Sequence, residues 1–253
     1  MALYKSKNPA LSTEVFTKAK VKSSAHLEEV MTINGTVNKT ALLGLTVLLT
    51  AYITWDLYQN SLNLASIQPY LLGGALGALA VAIIIIFKNK TAPYLAPVYC
   101  ALQGLALGGL SALMEQQFPG IVLEAIVLTF GILFSLLIIY KLGIIKATEN
   151  FKLVVTSATA GIGLYYLASI IGGFMGFNLP YLHDNSIGGI LFSLFVVVIA
   201  SLNLVVDFDF IEKGAEAKAP KYMEWYAAFG LMVTIIWLYI EILRLLGKSK
   251  SRN

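Results

Sequence analysis

Ile187-Gly-Gly-Ile-Leu-Phe-Ser-Leu-Phe-Val-Val-Val-Ile-Ala-Ser-Leu-Asn-Leu-Val-Val206 contains no charged residue, and Asp207-Phe-Asp-Phe-Ile-Glu212 follows it at once. The first stretch has the length an α-helix needs to cross the hydrocarbon of a bilayer, about 20 residues. The second sets carboxylates at the edge of that apolar run. Leu42 to Trp55 and Pro69 to Phe87 are uncharged as well. Across the 253 residues, 58% are hydrophobic and 13% charged, whereas charged residues make up about a quarter of a soluble domain. The apolar runs are continuous. Barrel strands would instead alternate over about ten residues, so the spans read as helices and the chain as an integral membrane protein.

Working outward from residues 187–206, the apolar runs and their punctuation place seven spans at 40–58, 69–87, 93–115, 121–140, 152–176, 187–206 and 222–246. Pro69 and Pro93 stand at span starts, Pro119-Gly120 separates the third span from the fourth, and Pro220 precedes the seventh. Proline is tolerated in a first helical turn, where its missing N–H has no partner to lose; Pro97 therefore reads as close to an interface. Gly73 and Gly77, Gly104 and Gly108, and Gly172 and Gly176 are each four apart, a spacing that lets helix backbones approach in lipid. The expected fold is an all-α integral membrane protein, a seven-helix bundle at 40–247. A polar basic tail at 1–39 precedes it, and a short basic tail at 248–253 follows.

The first tail carries Lys5, Lys7, Lys18, Lys20, Lys22 and Lys39, and lacks the apolar core and cleavage site of a secretory signal. Lys88, Lys90, Lys141, Lys146 and Lys152 flank alternate loops, while 59–68, 116–120 and 177–186 contain no Lys or Arg. The positive-inside rule then predicts a cytoplasmic N-terminus. Seven crossings put Lys248, Lys250 and Arg252 on the outer side, against that rule, unless the last segment does not cross fully. The net charge of +4 is accounted for by juxtamembrane residues facing anionic lipid, with no nucleic acid. Cys100 is alone, which excludes an intramolecular disulfide. His26 and His183 are far apart, so a paired zinc site is not expected. No nucleophile and base occur at a spacing that compels an enzyme.

Ser201-Leu-Asn-Leu-Val-Val-Asp-Phe-Asp-Phe-Ile-Glu212, Glu224-Trp-Tyr-Ala-Ala-Phe-Gly230 and Trp237-Leu-Tyr-Ile-Glu-Ile-Leu-Arg-Leu-Leu246 together resemble the Bax inhibitor/YccA-like family of seven-helix membrane proteins, its bacterial branch especially. Gln103-Gly-Leu-Ala-Leu-Gly108 resembles the family's glycine-rich third-helix segment. The resemblance covers about 40–247 and implies a bundle whose central last helix is wrapped by the others, in a bacterial cytoplasmic membrane. It also implies a pH-sensitive calcium leak, in which two carboxylates on the last two helices share a proton and control a gate.

Asp207 matches the first of those carboxylates. Glu241, in Leu238-Tyr-Ile-Glu241, is similar to the second, with Arg244 one turn on as its charge partner. An alignment anchored on Leu243-Arg244-Leu245 instead puts no acid at the second position. Glu224 is a competing partner, because it opens the last span on the membrane face where Asp207 ends the sixth. Two close carboxylates resist double ionisation and titrate as a unit. Calcium favours such oxygen ligands, so Asp207 and Glu241 are the expected calcium contacts, with Asp209 and Glu212 at the mouth. Asp209 and Lys213 are spaced for an i,i+4 ion pair, and Asp209, Glu212 and Glu216 also fit a plain wet loop. The function expected is a passive calcium or cation leak with no cofactor. The alternative is a structural or regulatory protein that binds a membrane partner such as a protease without transport.

Overall fold

A computed structural model of the protein describes residues 30–177, 180, 182 and 184–252. Most of the basic N-terminal tail and both histidines, His26 and His183, lie outside the described residues. Among the described residues, seven helices long and apolar enough to cross a membrane follow one another: α1 Ile33–Ser61, α2 Leu64–Phe87, α3 Ala92–Gln117, α4 Ile121–Lys141, α5 Glu149–Phe174, α6 Ile187–Glu216 and α7 Met223–Lys250. A single 3-10 turn, Asn89–Thr91, leads into α3. The protein is all-α, and the described residues contain no strand beyond an isolated backbone bridge between Val30 and Pro220.

The three helix boundaries that depart furthest from the sequence expectation each do so for a local reason. Helix α1 starts at Ile33 because Thr32 caps it, its side chain accepting from the Gly35 N–H, and a satisfied N-cap fixes a start. Helix α2 starts at Leu64, capped by Asn63, which puts Pro69 in its second turn instead of its first. Helix α6 does not stop at Val206. It runs to Glu216 with Phe208, Phe210 and Ile211 buried, so the Asp207–Glu212 strip is helical and no wet loop begins there.

The helices divide between two compact units, Met1–Leu113 with Asp209–Met232, and Met114–Phe208 with Val233–Asn253. In the first, α1 packs on α3 through small residues. A side chain at Gly104 would come within 2.5 Å of the Val47 carbonyl oxygen, and one at Gly108 would overlap the Ala51 carbonyl. The Thr54 hydroxyl crosses this contact to the Leu105 carbonyl at 2.8 Å. In lipid, where apolar surface has little to gain by leaving the solvent, such close backbone approach and interhelical hydrogen bonding supply the attraction.

On α2 the close approach is made by Gly74, 2.6 Å from the Leu102 carbonyl for an added Cβ, while Gly73 meets nothing. Among the described residues Gly172 and Gly176 hold no helix pair together: Gly172 packs against Phe177, just past its own helix.

In the second unit, α6 and α7 run antiparallel. The Thr234 hydroxyl bonds Asp207 at one end, and Lys248 Nζ donates to the Gly189 carbonyl at 3.1 Å at the other. Ile162, Val196 and Ile199 form a buried cluster beneath Tyr166, Phe192 and Trp237. Half of the most apolar stretch of α3, α6 and α7 is buried against protein, compared with 17% for each of the other four helices. Leu76, Leu123, Leu164 and Phe174 are among the large apolar side chains left facing outward, as lipid-exposed spans require.

The helix ends also show how the last span runs. In the first unit, Met31 N–H donates to the Ala219 carbonyl at 2.7 Å, so the entry to α1 lies beside the α6–α7 connection. In the second, Lys250 Nζ lies 2.7 Å from Glu124 Oε1 in the first turn of α4. The 28 residues of α7 rise about 42 Å, enough for a full crossing. The charges that conflict with a full crossing are met locally, Lys250 by Glu124 and buried Lys248 by the Gly189 carbonyl.

Candidate functional site

Each of the three carboxylates singled out from the sequence has its own surroundings. Asp207 lies on α6 and accepts a hydrogen bond from Thr234 of α7. Its residue is only partly buried, yet Oδ2 is shut off from solvent with no hydrogen-bond partner among the described residues. A buried carboxyl oxygen left in this condition is costly when ionised.

Glu241 is 1% exposed and fully engaged. Arg244 Nη1 is 3.0 Å from both of its oxygens. The Tyr166 hydroxyl of α5 donates to Oε1 at 2.8 Å, and Trp237 Nε1 donates to the same oxygen at 3.3 Å. Arg244 also reaches the Tyr166 hydroxyl at 2.9 Å, and its guanidinium lies 5.3 Å from the centre of that ring. The one-turn pairing with Arg244 follows from i,i+3 geometry on a helix.

A shared proton between Asp207 and Glu241 does not fit this geometry. Thr234 and Glu241 are seven residues apart on α7, roughly 10 Å along its axis. Asp207 is held at the level of Thr234, and the hydrogen-bond partners of Glu241 are Tyr166, Trp237 and Arg244. Among the described residues, the side chain that meets Asp207 is thus the Thr234 hydroxyl and not a second acid.

Glu224, also fully buried, closes a clasp on the start of α1. Its Oε1 accepts from both the N–H and the hydroxyl of Thr32 at 2.9 Å, and its Oε2 pairs with Lys39. Lys221 stands 3.4 Å from Oε1. Thr32 works in two directions, since its hydroxyl oxygen accepts from Gly35 N–H at 3.0 Å. Lys39 further lies over the Trp225 ring at 5.5 Å.

The remaining acids have structural employment. Asp209 pairs with Lys213 at 2.9 Å, as its spacing predicts, and Glu212 is exposed one turn before Glu216 on the same helix. Glu115 accepts from the backbone N–H groups of Gly120 and Val122 at 2.6 and 3.0 Å, capping α4, and Asp56 accepts from Asn60. Cys100 is buried. Among the described residues no three of His, Cys, Asp and Glu come together in a way that could hold a metal ion.

Four contributors escaped sequence reasoning: Thr234, Tyr166, Thr32 and Lys39. Thr234, Glu241 and Lys248 repeat every seven residues and so share one face of α7, a signal that was present. Tyr166 and Thr32 carried none, because they meet their carboxylates across 75 and 192 residues of chain.

A search of curated proteins and a search of solved structures each found no match. The family described as Bax inhibitor 1 like matches residues 8–251. That match takes in most of the basic N-terminal tail, which the local motifs had left outside the resemblance. With seven spanning helices and a match over nearly its full length, the chain belongs to the Bax inhibitor 1 like family.

Proposed function

We propose that the protein is a proton-sensitive passive leak for cations, calcium among them, with Asp207 as its sensor. The observation that carries this reading is the buried Asp207 Oδ2, which lacks a partner among the described residues. An ionisable group inside a membrane span is expensive, and function is its usual justification. With a proton on Oδ2 the carboxyl is neutral, and Thr234 ties α6 to α7. Loss of that proton leaves a buried charge that one hydroxyl does not compensate. The contact then gains by admitting water or a cation, and the two helices part. The gate is therefore a carboxyl–hydroxyl latch, with Glu224 and Glu241 held by their own basic partners. The lysine distribution supports a cytoplasmic N-terminus, and the resemblance of the local motifs to the bacterial branch supports a bacterial cytoplasmic membrane.

The test is calcium entry into vesicles containing the purified protein, measured between about pH 5 and 8 for the wild type and for Asp207→Asn. Entry that rises with pH in the wild type, and is insensitive to pH in the variant, supports the sensor. A second reading draws on the neutralised state of Glu224 and Glu241: the acids serve packing and charge balance in a regulator that binds a membrane protein such as a protease. Vesicles that stay tight at every pH with folded protein would favour it.

A further inference from the structure

Several hydroxyls on the spans bond the carbonyl four residues back: Ser201 to Val197 at 2.7 Å on α6, Thr129 to Ala125 at 2.7 Å on α4, and Thr36 to Thr32 at 3.0 Å on α1. This is the local way for a helix to satisfy serine and threonine. Ser193 does not follow it. The residue is 1% exposed, yet its hydroxyl bonds nothing among the described residues. The carbonyl four residues back is that of Gly189, and it is in use, because Lys248 Nζ of α7 donates to it at 3.1 Å. A carbonyl oxygen has two acceptor positions. The helix ladder takes one with the N–H four residues on, which leaves one for either the hydroxyl or the ammonium. A charged donor makes the stronger bond, and the ammonium holds it. We infer that Lys248 is a second latch between α7 and α6, closed on the Gly189 carbonyl in this structure, and that Ser193 takes over that carbonyl when the ammonium withdraws.

The surroundings give the ammonium two resting places. A lysine near the end of a span ordinarily extends to water, as Lys250 does on its way to Glu124. Lys248 is 6% exposed and turns inward instead. Its charged neighbours are Asp184 in the α5–α6 connection and Glu241 on α7, which attract it, and Arg244 on α7, which repels it. Asp184 is exposed and offers a destination at the surface. The acceptor at the inner position is fixed, since Gly189 N–H donates to Ser186 Oγ at 3.2 Å and Ser186 N–H donates to Asp184 Oδ1 at 2.9 Å. Ser193 lowers the cost of withdrawal, because the acceptor position that Lys248 vacates does not stay empty in a buried setting. One consequence rests on the leak reading and deepens it. The Asp207–Thr234 and Gly189–Lys248 contacts lie at opposite ends of the α6–α7 pair, 14 residues of α7 or roughly 21 Å apart. While Lys248 holds, loss of the first contact parts the helices at that end only, and the pair splays about Gly189.

The test is a double-mutant cycle read by amide hydrogen exchange of the full chain in detergent, over the first turns of α6. Ser193→Ala alone should leave exchange there unchanged, because the hydroxyl bonds nothing while the latch is closed. Lys248→Met should speed it modestly, since Ser193 steps in. Adding Ser193→Ala to Lys248→Met should speed it about tenfold further, the size expected for losing one hydrogen bond. The same effect of Ser193→Ala in both backgrounds would overturn the takeover, and wild-type exchange in Lys248→Met would overturn the latch itself. Should Lys248→Met not fold, Lys248→Gln removes the charge with a polar side chain in its place, and the same cycle is read in it. Calcium entry into vesicles separates the latch from the leak. Coupled exchange with tight vesicles for every variant keeps the latch and sinks the leak, whereas calcium entry without coupled exchange does the reverse.

Discussion

Replacing Gly35 with alanine should break the clasp on α1 through a residue 189 positions away. A Cβ at Gly35 would lie within 2.5 Å of Glu224 Oε2 and closer still to the rest of that carboxylate. The carboxylate ends a flexible side chain, so rotation relieves the overlap cheaply. What rotation loses is the pair of hydrogen bonds from Thr32 and the contact with Lys39. Hydrogen bonds to a charged group are worth about 1.5–3 kcal/mol each, so a loss of about 3 kcal/mol is expected for the partly buried set.

Alanine is a better helix former than glycine by about 1 kcal/mol, which leaves a net destabilisation of about 2 kcal/mol. For a chain of this size that is a fall in Tm of about 4–8 °C, readable by tryptophan fluorescence of the detergent-solubilised protein. The decisive comparison is a double-mutant cycle. Once Glu224→Ala has removed the carboxylate, Gly35→Ala has nothing to displace, and only its helix-forming gain remains. The same substitution should then be neutral or slightly stabilising. An equal loss in both backgrounds would refute the idea that Gly35 acts through Glu224.

Gly108→Ala should cost about 1–3 kcal/mol, because its new methyl meets the Ala51 backbone, which cannot rotate away; a thermal melt in detergent checks this, and Gly73→Ala, with open space around it, is the control. Thr234→Asp should place a second acid opposite Asp207 and create the coupled pair that the wild type lacks, seen as a broadened pH dependence of calcium flux; an unchanged profile would show that Thr234 does not face the sensor. In the α5–α6 connection, the hydroxyl and N–H of Ser186 hold Asp184 below the ordinary carboxylate range. A lowered folded value means stabilisation that is present above the ordinary range and lost as pH falls through the lowered value. Asp184→Asn should therefore flatten the acid side of a Tm-against-pH curve by lowering its neutral side toward the acid level, which itself stays in place.

The sequence by itself determined that this is a membrane protein with seven helical spans, because crossing a bilayer imposes a length and an apolar composition that each segment must meet alone. It also determined the near-neighbour pairs Asp209–Lys213 and Glu241–Arg244, since helical periodicity makes such spacings contacts wherever the helix forms. Helix ends were less legible. Thr32 and Asn63 as caps, and the buried Phe208, Phe210 and Ile211, extended helices beyond what hydropathy suggested.

The site itself depended on partners distant in sequence. Thr234 opposite Asp207, Tyr166 on Glu241, and Thr32 with Lys39 on Glu224 follow from how helices are paired and rotated, which no local pattern encodes. The same holds for the end of α7. Charge counting alone set Lys248 and Lys250 against a full crossing, and only the folded chain supplied Glu124 and the Gly189 carbonyl to receive them. A charge rule sums residues along a loop, whereas the energy of a buried ammonium is decided by the few oxygens within reach of it.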